Sequence, residues 1–576
     1  MAKKRILKGD SNFKRLVANN GYFVDKTLLV KEFFDNGDMV LLMPRPRRFG
    51  KTLNLSMVEH FFDINKKESA ELFSEYKISA EKEFCEQHQN RYPVINISLK
   101  SIRAENWEGC IENIKTEISD LYIEHDYLLE SKNLRESEKR KFEKIIDETA
   151  KDKDYYYSLK HLSRYLKNHF GQPVIILVDE YDTPIIDGYT KKYYSQIITF
   201  MQVFMGTAFK GNDNLKKGLI TGILRIARES IFSEMNNVGV YTITSLFFSD
   251  KFGFTEQETK DALQCFDLSD KFKSVQQWYN GYQFGNTKHI YNPWSIVNYL
   301  SRHEEGFKPY WINTGTDSLI KERILNPGDT ENYDTLQKLI SGQTIEKVLD
   351  ENFVFSDFDT DKELLWTLLT FSGYLTQTKN IGADSYELKI PNYEITKVFK
   401  DIVVKWLNIN IKVKRELLVS ATQHLVNNRI PEFEKGFKKI MGDTFSYFDT
   451  AGGNAENVYQ AYVLGMLAII GDDYIIKSNR ESGEGRYDIL LIPYDKNRYG
   501  IVIEIKQIKR DKKETDGNFY NKINGQISEA LNQIERNKYY KELLTHKIKN
   551  IIKLPIVFAG KEPFVMQLPE NKLETF

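Results

Sequence analysis

Ile501-Val502-Ile503-Glu504-Ile505-Lys506 is an apolar run that carries an acid and an amine two residues apart. Alternate residues of a strand share a face, so the pattern predicts a strand with Glu504 and Lys506 side by side. A preceding apolar run, Tyr487-Asp488-Ile489-Leu490-Leu491-Ile492, contributes Asp488. Two carboxylates on neighbouring strands suit Mg²⁺, which prefers oxygen ligands. We therefore predict that Asp488 and Glu504 bind metal, and that Lys506 orients or deprotonates a water aimed at a phosphodiester. The alternative is an ordinary strand pair with charged edges.

A second informative stretch joins the apolar run Met39–Met43 to Pro44-Arg45-Pro46-Arg47-Arg48-Phe49-Gly50-Lys51-Thr52 and then to a helical pattern. This order of strand, loop, Gly-Lys-Thr and helix is typical of the phosphate-binding loop of P-loop NTPases. Lys51 is expected to reach the terminal phosphates and Thr52 to bind Mg²⁺. The first glycine of the general motif falls on Arg45, so the loop lacks glycine's backbone freedom there. The ATP-binding residues predicted from this stretch are Arg48, Gly50, Lys51 and Thr52.

An acidic motif, Asp179-Glu180-Tyr181-Asp182, follows a strand predicted at 173–178. Asp179 is expected to bind ATP-associated Mg²⁺ together with Thr52, and Glu180 to polarise the attacking water as a catalytic residue.

A further strand predicted at 218–222 carries Thr221, which is placed like the polar sensor of AAA-type ATPases. Arg225 and Arg228 follow it on the same segment. We expect Thr221 and Arg225 to take part in ATP binding, with a γ-phosphate contact and a solvated face as the two interpretations of the arginines.

The segment around Asp488 and Glu504 resembles the PD-(D/E)XK nuclease superfamily, although Tyr487 stands where the superfamily label has proline. The resemblance implies a metal-binding glutamate on a preceding helix, and Glu456 lies near the start of a helical pattern at 454–467. It also implies an accessory glutamine on the helix that follows the core strands. Gln526 and Gln533 are the two candidates.

The chain as a whole resembles a bacterial group of AAA-ATPase-like proteins with a C-terminal PD-(D/E)XK domain. The resemblance rests on both motifs above and on Tyr22–Thr27, Trp278–Tyr282 and Tyr291–Ser295. It implies an α/β fold with an AAA-like P-loop NTPase parallel sheet, a helical connector and a C-terminal α/β restriction-endonuclease-like domain. The tryptophan motifs are expected to form turns and pack, in preference to stacking on bases.

The length and composition of the chain limit its domain organisation and its binding partners. A chain of 576 residues is longer than one hydrophobic core supports, so we predict several domains. We place an AAA-ATPase-like domain at 1–295, a helical connector or lid at 296–435 and a nuclease-like domain at 436–576. Lys+Arg and Asp+Glu both number 81, so nucleic-acid binding requires a local patch. A lysine-rich stretch with interleaved aromatics runs from Lys506 to Lys553. It is a candidate nucleic-acid-binding patch, in which lysines attract phosphates and aromatic rings stack on bases, and a solvated helix face is the other interpretation.

Cysteine and hydropathy patterns exclude other classes. The 3 cysteines are widely spaced, against a disulfide framework or a cysteine-based zinc site. No apolar run approaches a membrane span or a signal peptide, so we expect a cytoplasmic protein without a membrane partner.

The sequence thus predicts an ATP-binding, Mg²⁺-dependent nuclease, with Mn²⁺ as an alternative ion, in which the AAA-like module regulates or drives cleavage. A role in defence against foreign nucleic acid and homo-oligomerisation are further expectations, and DNA is favoured over RNA. A nucleotide-controlled switch without cleavage and a DNA-translocating motor are the competing hypotheses.

Overall fold

The computed structural model describes residues 4–225, 237–311, 335–336, 338–340, 342–352, 355–411, 415–444, 459, 463–471, 473–482, 485–511, 514–560 and 562–566. The chain divides into two compact units. Unit 1 comprises Met1–Thr316 and Glu346–Glu394, and unit 2 comprises Asp317–Ile345 and Ile395–Phe576.

A five-stranded parallel sheet forms the core of unit 1, in the order β2-β3-β4-β1-β5. Its strands are β1 (Val40–Pro44), β2 (Val94–Ser98), β3 (Val174–Asp179), β4 (Leu215–Gly222) and β5 (Val238–Val240). All six residues of β3 are buried, as expected for a strand covered on both faces. Because the strands are parallel, the carboxyl ends of β1, β3 and β4 meet at one edge. The predicted parallel α/β fold is confirmed.

The remaining strands of this part of the chain form two small sheets. A hairpin consists of β6 (Tyr282–Phe284) and β7 (Thr287–Ile290), and a three-stranded sheet in the order β8-β10-β9 consists of β8 (Ile345–Val348), β9 (Thr376–Gly382) and β10 (Ser385–Lys389).

Helices connect these strands. Those before the hairpin are α1 (Phe13–Ala18), α2 (Leu28–Asp35), α3 (Lys51–Phe62), α4 (Lys82–His88), α5 (Trp107–Ile123), α6 (Glu136–Ile146), α7 (Asp152–Tyr156), α8 (Ser158–Phe170), α9 (Thr183–Thr190), α10 (Tyr194–Phe209), α11 (Glu256–Cys265) and α12 (Phe272–Tyr279). Those after it are α13 (Pro293–Ser301), α14 (Leu364–Ser372) and α15 (Tyr393–Ile411).

The tryptophan and tyrosine motifs pack, as predicted. Tyr279 and Tyr291 are buried in one apolar cluster, and Trp278 packs against it. Asn292 caps α13 by accepting hydrogen bonds from the backbone N–H groups of Trp294 and Ser295. An asparagine cap followed by proline at the first helical position is a strong helix start.

Unit 2 contains a mixed five-stranded sheet in the order β11-β12-β13-β14-β15. The strands are β11 (Tyr474–Ser482), β12 (Gly485–Pro493), β13 (Gly500–Ile508), β14 (Ile551–Ala559) and β15 (Glu562–Val565). The helices are α16 (Arg415–Val426), α17 (Ile430–Thr444), α18 (Asp516–Arg536) and α19 (Lys541–Thr545), and residues 463–467 are also helical. All neighbouring strands are antiparallel except β13 and β14, which α18 connects.

Helices cover both faces of this sheet. Apolar residues of α18 recur at helical spacing and are buried: Phe519, Ile523, Ile527, Ala530 and Ile534. On the other face, α16 and α17 share one buried cluster with Ile489, Ile503 and Ile505. Asp488, Glu504 and Lys506 alternate with these three isoleucines and therefore belong to the α18 face.

The structure divides the chain differently from the three predicted domains. The predicted boundary between 435 and 436 lies inside α17 (Ile430–Thr444), whose apolar face completes the core of unit 2. Of the predicted connector, the residues up to Thr316 and Glu346–Glu394 belong to unit 1, and Asp317–Ile345 and the residues from Ile395 onward belong to unit 2. The boundaries of the three predicted domains stay a prediction.

Candidate functional site

The loop between β1 and α3 has the backbone expected of a phosphate-binding loop. Gly50 precedes α3 with a φ of 86°, which glycine adopts without a Cβ penalty. Arg48 also has a positive φ, 68°. The first N–H groups of α3 have no acceptor within the helix and lie at the positive end of its dipole. Such a helix start binds phosphate.

Lys51 lies inside this loop, with only 4% of its surface exposed. Its Nζ donates to the carbonyl oxygens of Arg45 at 3.1 Å and Pro46 at 3.3 Å. Glu180 Oε1 is 3.4 Å from the same ammonium. The predicted phosphate-binding lysine and the predicted water-polarising glutamate are therefore adjacent.

Asp179 connects the ends of three elements. Its Oδ2 accepts a hydrogen bond from Thr52 Oγ1 and its Oδ1 accepts one from Thr221 Oγ1, both at 2.6 Å. Burial raises the pKa of Asp179, and the charge of Glu180 adds to the rise, while the two hydroxyl donors and Lys51 oppose it. A hydroxyl and a carboxylate in contact are a hard-oxygen pair that fits Mg²⁺. Thr52 and Asp179 are thus the residues that would hold the ion.

Glu180 has a strained backbone, with a φ of 53° at a residue that is not glycine. Such conformations persist only where the surroundings enforce them, and they concentrate at functional sites. Burial raises the pKa of Glu180, but the charges of Lys51 and Arg47 outweigh it, so that the net pKa is lowered. A carboxylate that stays ionised suits the predicted role in polarising water.

Asp182 belongs to the same acidic motif, and no role is predicted for it from the sequence. It is fully buried, and its Oδ2 accepts hydrogen bonds from the backbone N–H groups of Ile223 at 2.8 Å and Leu224 at 2.9 Å. Burial raises the pKa of Asp182 to about 6. The carboxylate thereby fixes the chain just after Thr221. The sequence feature that could have indicated this role is the position of Asp182 three residues after Asp179.

Arg45, which replaces the first glycine of the general motif, points into the protein. Its guanidinium donates to the carbonyl oxygens of Pro44, Tyr241 and Phe248, at 2.8, 2.6 and 3.1 Å. The group also lies 4.9 Å from the centre of the Phe252 ring. Burial lowers the pKa of Arg45 to about 9, so the side chain remains a cation at neutral pH. The buried Arg45 side chain therefore holds the loop in place through its hydrogen bonds to these carbonyl groups.

The other predicted arginines lie in different surroundings. Arg48 is exposed and its guanidinium lies 4.1 Å from the centre of the Trp294 ring, next to the loop. Arg225 lies 3.9 Å from Glu351, which also accepts hydrogen bonds from Thr242 and Thr244. The side chain of Arg225 thus lies near the carboxylate of Glu351. Arg228 lies outside the described residues.

In unit 2, the strands bring Asp488, Glu504 and Lys506 together. Ile489 pairs with Ile503 across the antiparallel strands β12 and β13. Asp488, which precedes Ile489, therefore lies beside Glu504, which follows Ile503. Asp488 Oδ2 accepts a hydrogen bond from the backbone N–H of Ile505 at 2.7 Å. Lys506 Nζ donates to Glu504 Oε1 at 3.0 Å. Glu504 is 2% exposed.

Of the two candidate glutamines, only Gln533 reaches this cluster. Its Oε1 accepts a hydrogen bond from Lys506 Nζ at 2.8 Å. Gln526 donates instead to Glu529, also on α18. The two glutamines are seven positions apart, or about two helical turns, so they share one helix face and differ in their position along the helix axis relative to Lys506.

Tyr539 extends the cluster and was not predicted. Its hydroxyl accepts hydrogen bonds from Gln533 Nε2 at 3.1 Å and Asn537 Nδ2 at 2.9 Å. Tyr539 is buried, and its ring packs near Tyr487. The sequence showed only a tyrosine in a lysine-rich stretch.

The metal-ligand set is described only in part. Asp488 and Glu504 supply two carboxylates, which fit the oxygen preference of Mg²⁺ or Mn²⁺. Glu456, the third predicted ligand, lies outside the described residues. Among the residues that are described, no group of three or more histidine, cysteine, aspartate or glutamate side chains forms a metal cluster.

Fold and geometry thus define a P-loop nucleotide-binding unit followed by an α/β unit with a carboxylate and lysine cluster. Residues 8–232 match the family described as predicted AAA-ATPase, and residues 454–568 match the PD-(D/E)XK nuclease superfamily. The chain therefore combines an AAA-ATPase-like domain with a C-terminal PD-(D/E)XK nuclease-superfamily domain.

Two individual proteins are also similar. One is described as an uncharacterized protein in the vnfD 5′ region of Azotobacter chroococcum mcd 1, 26% identical over 409 residues that cover 69% of each chain. The other is a solved structure, the Walker-type ATPase of Pyrococcus abyssi. It has 13% identity and a TM-score of 0.34, covering 65% of this chain and 94% of that one.

Among the helices that the structure describes, none has the length and apolar character needed to cross a membrane.

Proposed function

We propose that this protein is an ATP-binding, Mg²⁺-dependent nuclease in which the AAA-like unit regulates phosphodiester hydrolysis by unit 2, with defence against foreign nucleic acid as its expected role. The observation that carries the proposal is the cluster of Asp488, Glu504, Lys506 and Gln533. Its carboxylates and lysine come from adjacent strands, and the lysine is held by both Glu504 and Gln533.

Each residue of the cluster has a role in this chemistry. A metal ion bound by Asp488 and Glu504 would stabilise the charge that develops on the phosphate. Lys506 is placed to orient the attacking water and to offset charge on the scissile phosphate. Gln533 fixes the Lys506 ammonium and accepts one of its three protons in a hydrogen bond.

In unit 1, the proposal assigns nucleotide binding to the loop before α3. The helix start and Lys51 bind the phosphates, and Thr52 and Asp179 are the ligands for Mg²⁺. Glu180 polarises the attacking water. Its contact with Lys51 at 3.4 Å keeps the carboxylate ionised at the loop.

The proposed coupling rests on contacts that begin at the phosphate loop. The carbonyl oxygen of Arg47 accepts hydrogen bonds from Asn292 Nδ2 at 3.3 Å and Trp311 Nε1 at 3.4 Å. The backbone N–H of Trp311 donates to Glu394 Oε1 at 2.6 Å, and Ser295 Oγ donates to Glu394 Oε2 at 2.7 Å. A shift of the loop on nucleotide binding therefore acts on Glu394.

Glu394 occupies the first turn of α15 (Tyr393–Ile411). Glu346–Glu394 belongs to unit 1, and the residues from Ile395 onward belong to unit 2. The helix thus carries the chain directly from the Glu394 contacts into the unit with the nuclease cluster. We infer that nucleotide occupancy is passed on through this helix.

The proposal is tested with single-stranded and double-stranded DNA and RNA, with Mg²⁺ or Mn²⁺, with and without ATP. We expect wild type to cleave, Asp488→Ala and Lys506→Ala to lose cleavage while remaining folded, and Lys51→Ala to lose ATP turnover. Full-rate cleavage by Lys506→Ala would place the site elsewhere. Absence of cleavage under every condition would favour the nucleotide-controlled switch.

Coupling is tested by the ratio of cleavage rates with and without ATP. Glu394→Gln is expected to bring this ratio close to one while ATP binding persists. Glu305→Gln, which removes an exposed carboxylate paired with Lys308 in the same unit, is the matched control and should keep the wild-type ratio. An unchanged ratio in Glu394→Gln would exclude this route.

A further inference from the structure

The stretch rich in lysine and aromatic residues separates into two parts in the structure. Near the start of α18, two cations are matched by acids: Arg510 pairs with Asp516, and Lys522 lies 3.9 Å from Asp511. Beyond the end of α18 the balance changes. Residues 536–549 contain five Lys and Arg and one acid.

The five cations of residues 536–549 are all exposed, and within the described part of the chain none of them forms an ion pair. The five are Arg536, Lys538, Lys541, Lys547 and Lys549. The single acid of the segment, Glu542, is neutralised from outside by Lys477 of β11. Glu535, which precedes the segment, pairs with Lys553 of β14. Lysines of the sheet therefore cancel the nearby negative charge and leave the segment strongly positive.

Helix stabilisation explains only part of this charge. Cations in the last turn of a helix interact favourably with its dipole, and Arg536 lies in the last turn of α18. The four lysines lie beyond that turn, where the dipole effect falls away. Their mutual repulsion is a cost that folding does not require, which indicates a polyanionic partner.

The segment is joined directly to the nuclease cluster. Gln533 contacts Lys506 and donates to Tyr539, which lies between Lys538 and Tyr540 in the segment. Tyr539 itself is buried, so it anchors the segment beside the cluster and leaves the neighbouring lysines in solvent. The other end of the segment lies beside the start of β13, where the backbone N–H of Gly500 donates to Asn550, about 20 Å along the strand from Lys506. A phosphate backbone bound along the whole segment would therefore end beside the cluster.

We propose that residues 536–549 form the surface that binds the phosphate backbone of the nucleic-acid substrate. The inference rests on the proposed nuclease function. A row of unpaired lysines recognises phosphate charge without reading bases, so binding is expected to be independent of sequence and strongly dependent on salt. Stacking on bases contributes little within the segment, because Tyr539 is buried and Lys553 lies 4.5 Å from the centre of the Tyr540 ring. The exposed Tyr520 lies on α18, outside the segment.

The test measures binding of the full chain to a labelled DNA duplex and single strand by fluorescence anisotropy, at several salt concentrations and without divalent metal. The variant carries Lys538→Gln, Lys541→Gln, Lys547→Gln and Lys549→Gln. The control removes four exposed lysines of unit 2 outside the stretch Lys506–Lys553, through Lys338→Gln, Lys435→Gln, Lys439→Gln and Lys496→Gln. Circular dichroism confirms that both remain folded.

We expect the variant to lose at least about tenfold in affinity near 0.1 M salt, and its slope of log K against log salt to fall by about 2 to 4, since each phosphate contact contributes about 0.9. The control should stay within about twofold of wild type. Equal losses in variant and control, or no loss in either, would overturn the inference. Failure of wild type to bind any nucleic acid would also overturn it, as would tighter binding to phosphatidylserine vesicles than to nucleic acid.

Cleavage measured in parallel distinguishes this inference from the proposed function. Cleavage by wild type with unchanged binding by the variant would leave the nuclease proposal intact and reject residues 536–549 as its surface. Selective loss of binding by the variant, with no cleavage by wild type, would support the surface and reject the proposed activity.

Discussion

At the scale of single residues, Gln533 and Gln526 show how one contact separates two similar side chains. Both are glutamines on α18, yet only Gln533 contacts Lys506, at 2.8 Å. Gln526 pairs with Glu529 in solvent. Substitution of each glutamine therefore tests whether contact with Lys506 matters to the cluster of Asp488, Glu504 and Lys506.

Gln533→Ala is expected to reduce cleavage by about 10- to 100-fold, as is usual when a group that orients a metal-site residue is removed. Gln526→Ala should change the rate less than about twofold. The measurement is kcat and KM for both variants, together with the pH profile of cleavage. Equal rates for the two variants would show that Gln533 has no orienting role.

Arg45 is a second residue whose role comes from its surroundings. Arg45→Gly restores the glycine of the general phosphate-loop motif but removes the donor to the carbonyl groups of Pro44 and Tyr241, at about 1 to 3 kcal/mol each. The carbonyl group of Phe248 keeps a second donor, the backbone N–H of Lys251. We expect the free energy of unfolding of unit 1 to fall by at least about 2 kcal/mol. Arg103→Ala, at an exposed position, should change it by less than about 0.5 kcal/mol.

Urea unfolding followed by tryptophan fluorescence measures this effect. The signal reports mainly on unit 1, because five of the 6 tryptophans lie there: Trp107, Trp278, Trp294, Trp311 and Trp366. Wild-type stability in Arg45→Gly would contradict the role of Arg45 in holding the loop in place.

At the scale of elements, the first turn of α15 depends on a buried carboxyl group. Burial raises the pKa of Glu394 to about 7, against the hydrogen bonds from Ser295 and Trp311. The folded chain therefore binds this proton more tightly than the unfolded chain. The resulting stabilisation is present below pH 4.5 and is lost as the pH rises through 7.

Glu394→Gln is expected to remove this contribution, which amounts to about 3 kcal/mol between acid and neutral pH. The variant should therefore gain stability relative to wild type as the pH rises from 4.5 to 8. Unfolding of both proteins in urea across that range provides the measurement. Parallel stability curves would show that Glu394 ionises without cost in the folded chain.

At the scale of the whole molecule, α16 and α17 belong to the core of unit 2. Their buried residues share one cluster with the strands, and those that precede residue 436 are Leu418, Ala421, Leu425, Val426, Ile430 and Phe433. Each large apolar side chain contributes about 1.5 to 3 kcal/mol when buried. Their sum rivals the total stability of a domain, about 5 to 15 kcal/mol.

A fragment that begins at residue 436 is therefore expected to aggregate, whereas one that begins at 395 should be more soluble and show cooperative unfolding. Expression yield, gel filtration and thermal unfolding of the two fragments test this prediction. A folded, monomeric 436–576 fragment would show that α16 is dispensable to the core.

The sequence by itself determined the local features of this protein. Strand, loop and helix around Lys51, the acid that ends β3, and the alternation of Glu504 and Lys506 are all set by neighbouring residues, because backbone periodicity and glycine conformation act over a few positions. These features were enough to predict the α/β class and the two motif regions.

Only the tertiary structure decided which distant groups meet. It turned Arg45 inward to three carbonyl groups, chose Gln533 over Gln526, and divided the predicted connector between two units. It also separated the lysines that acids neutralise from those that remain unpaired. Such outcomes depend on contacts between residues far apart in the chain, and their energies come from burial and charge in the folded state, which no local pattern encodes.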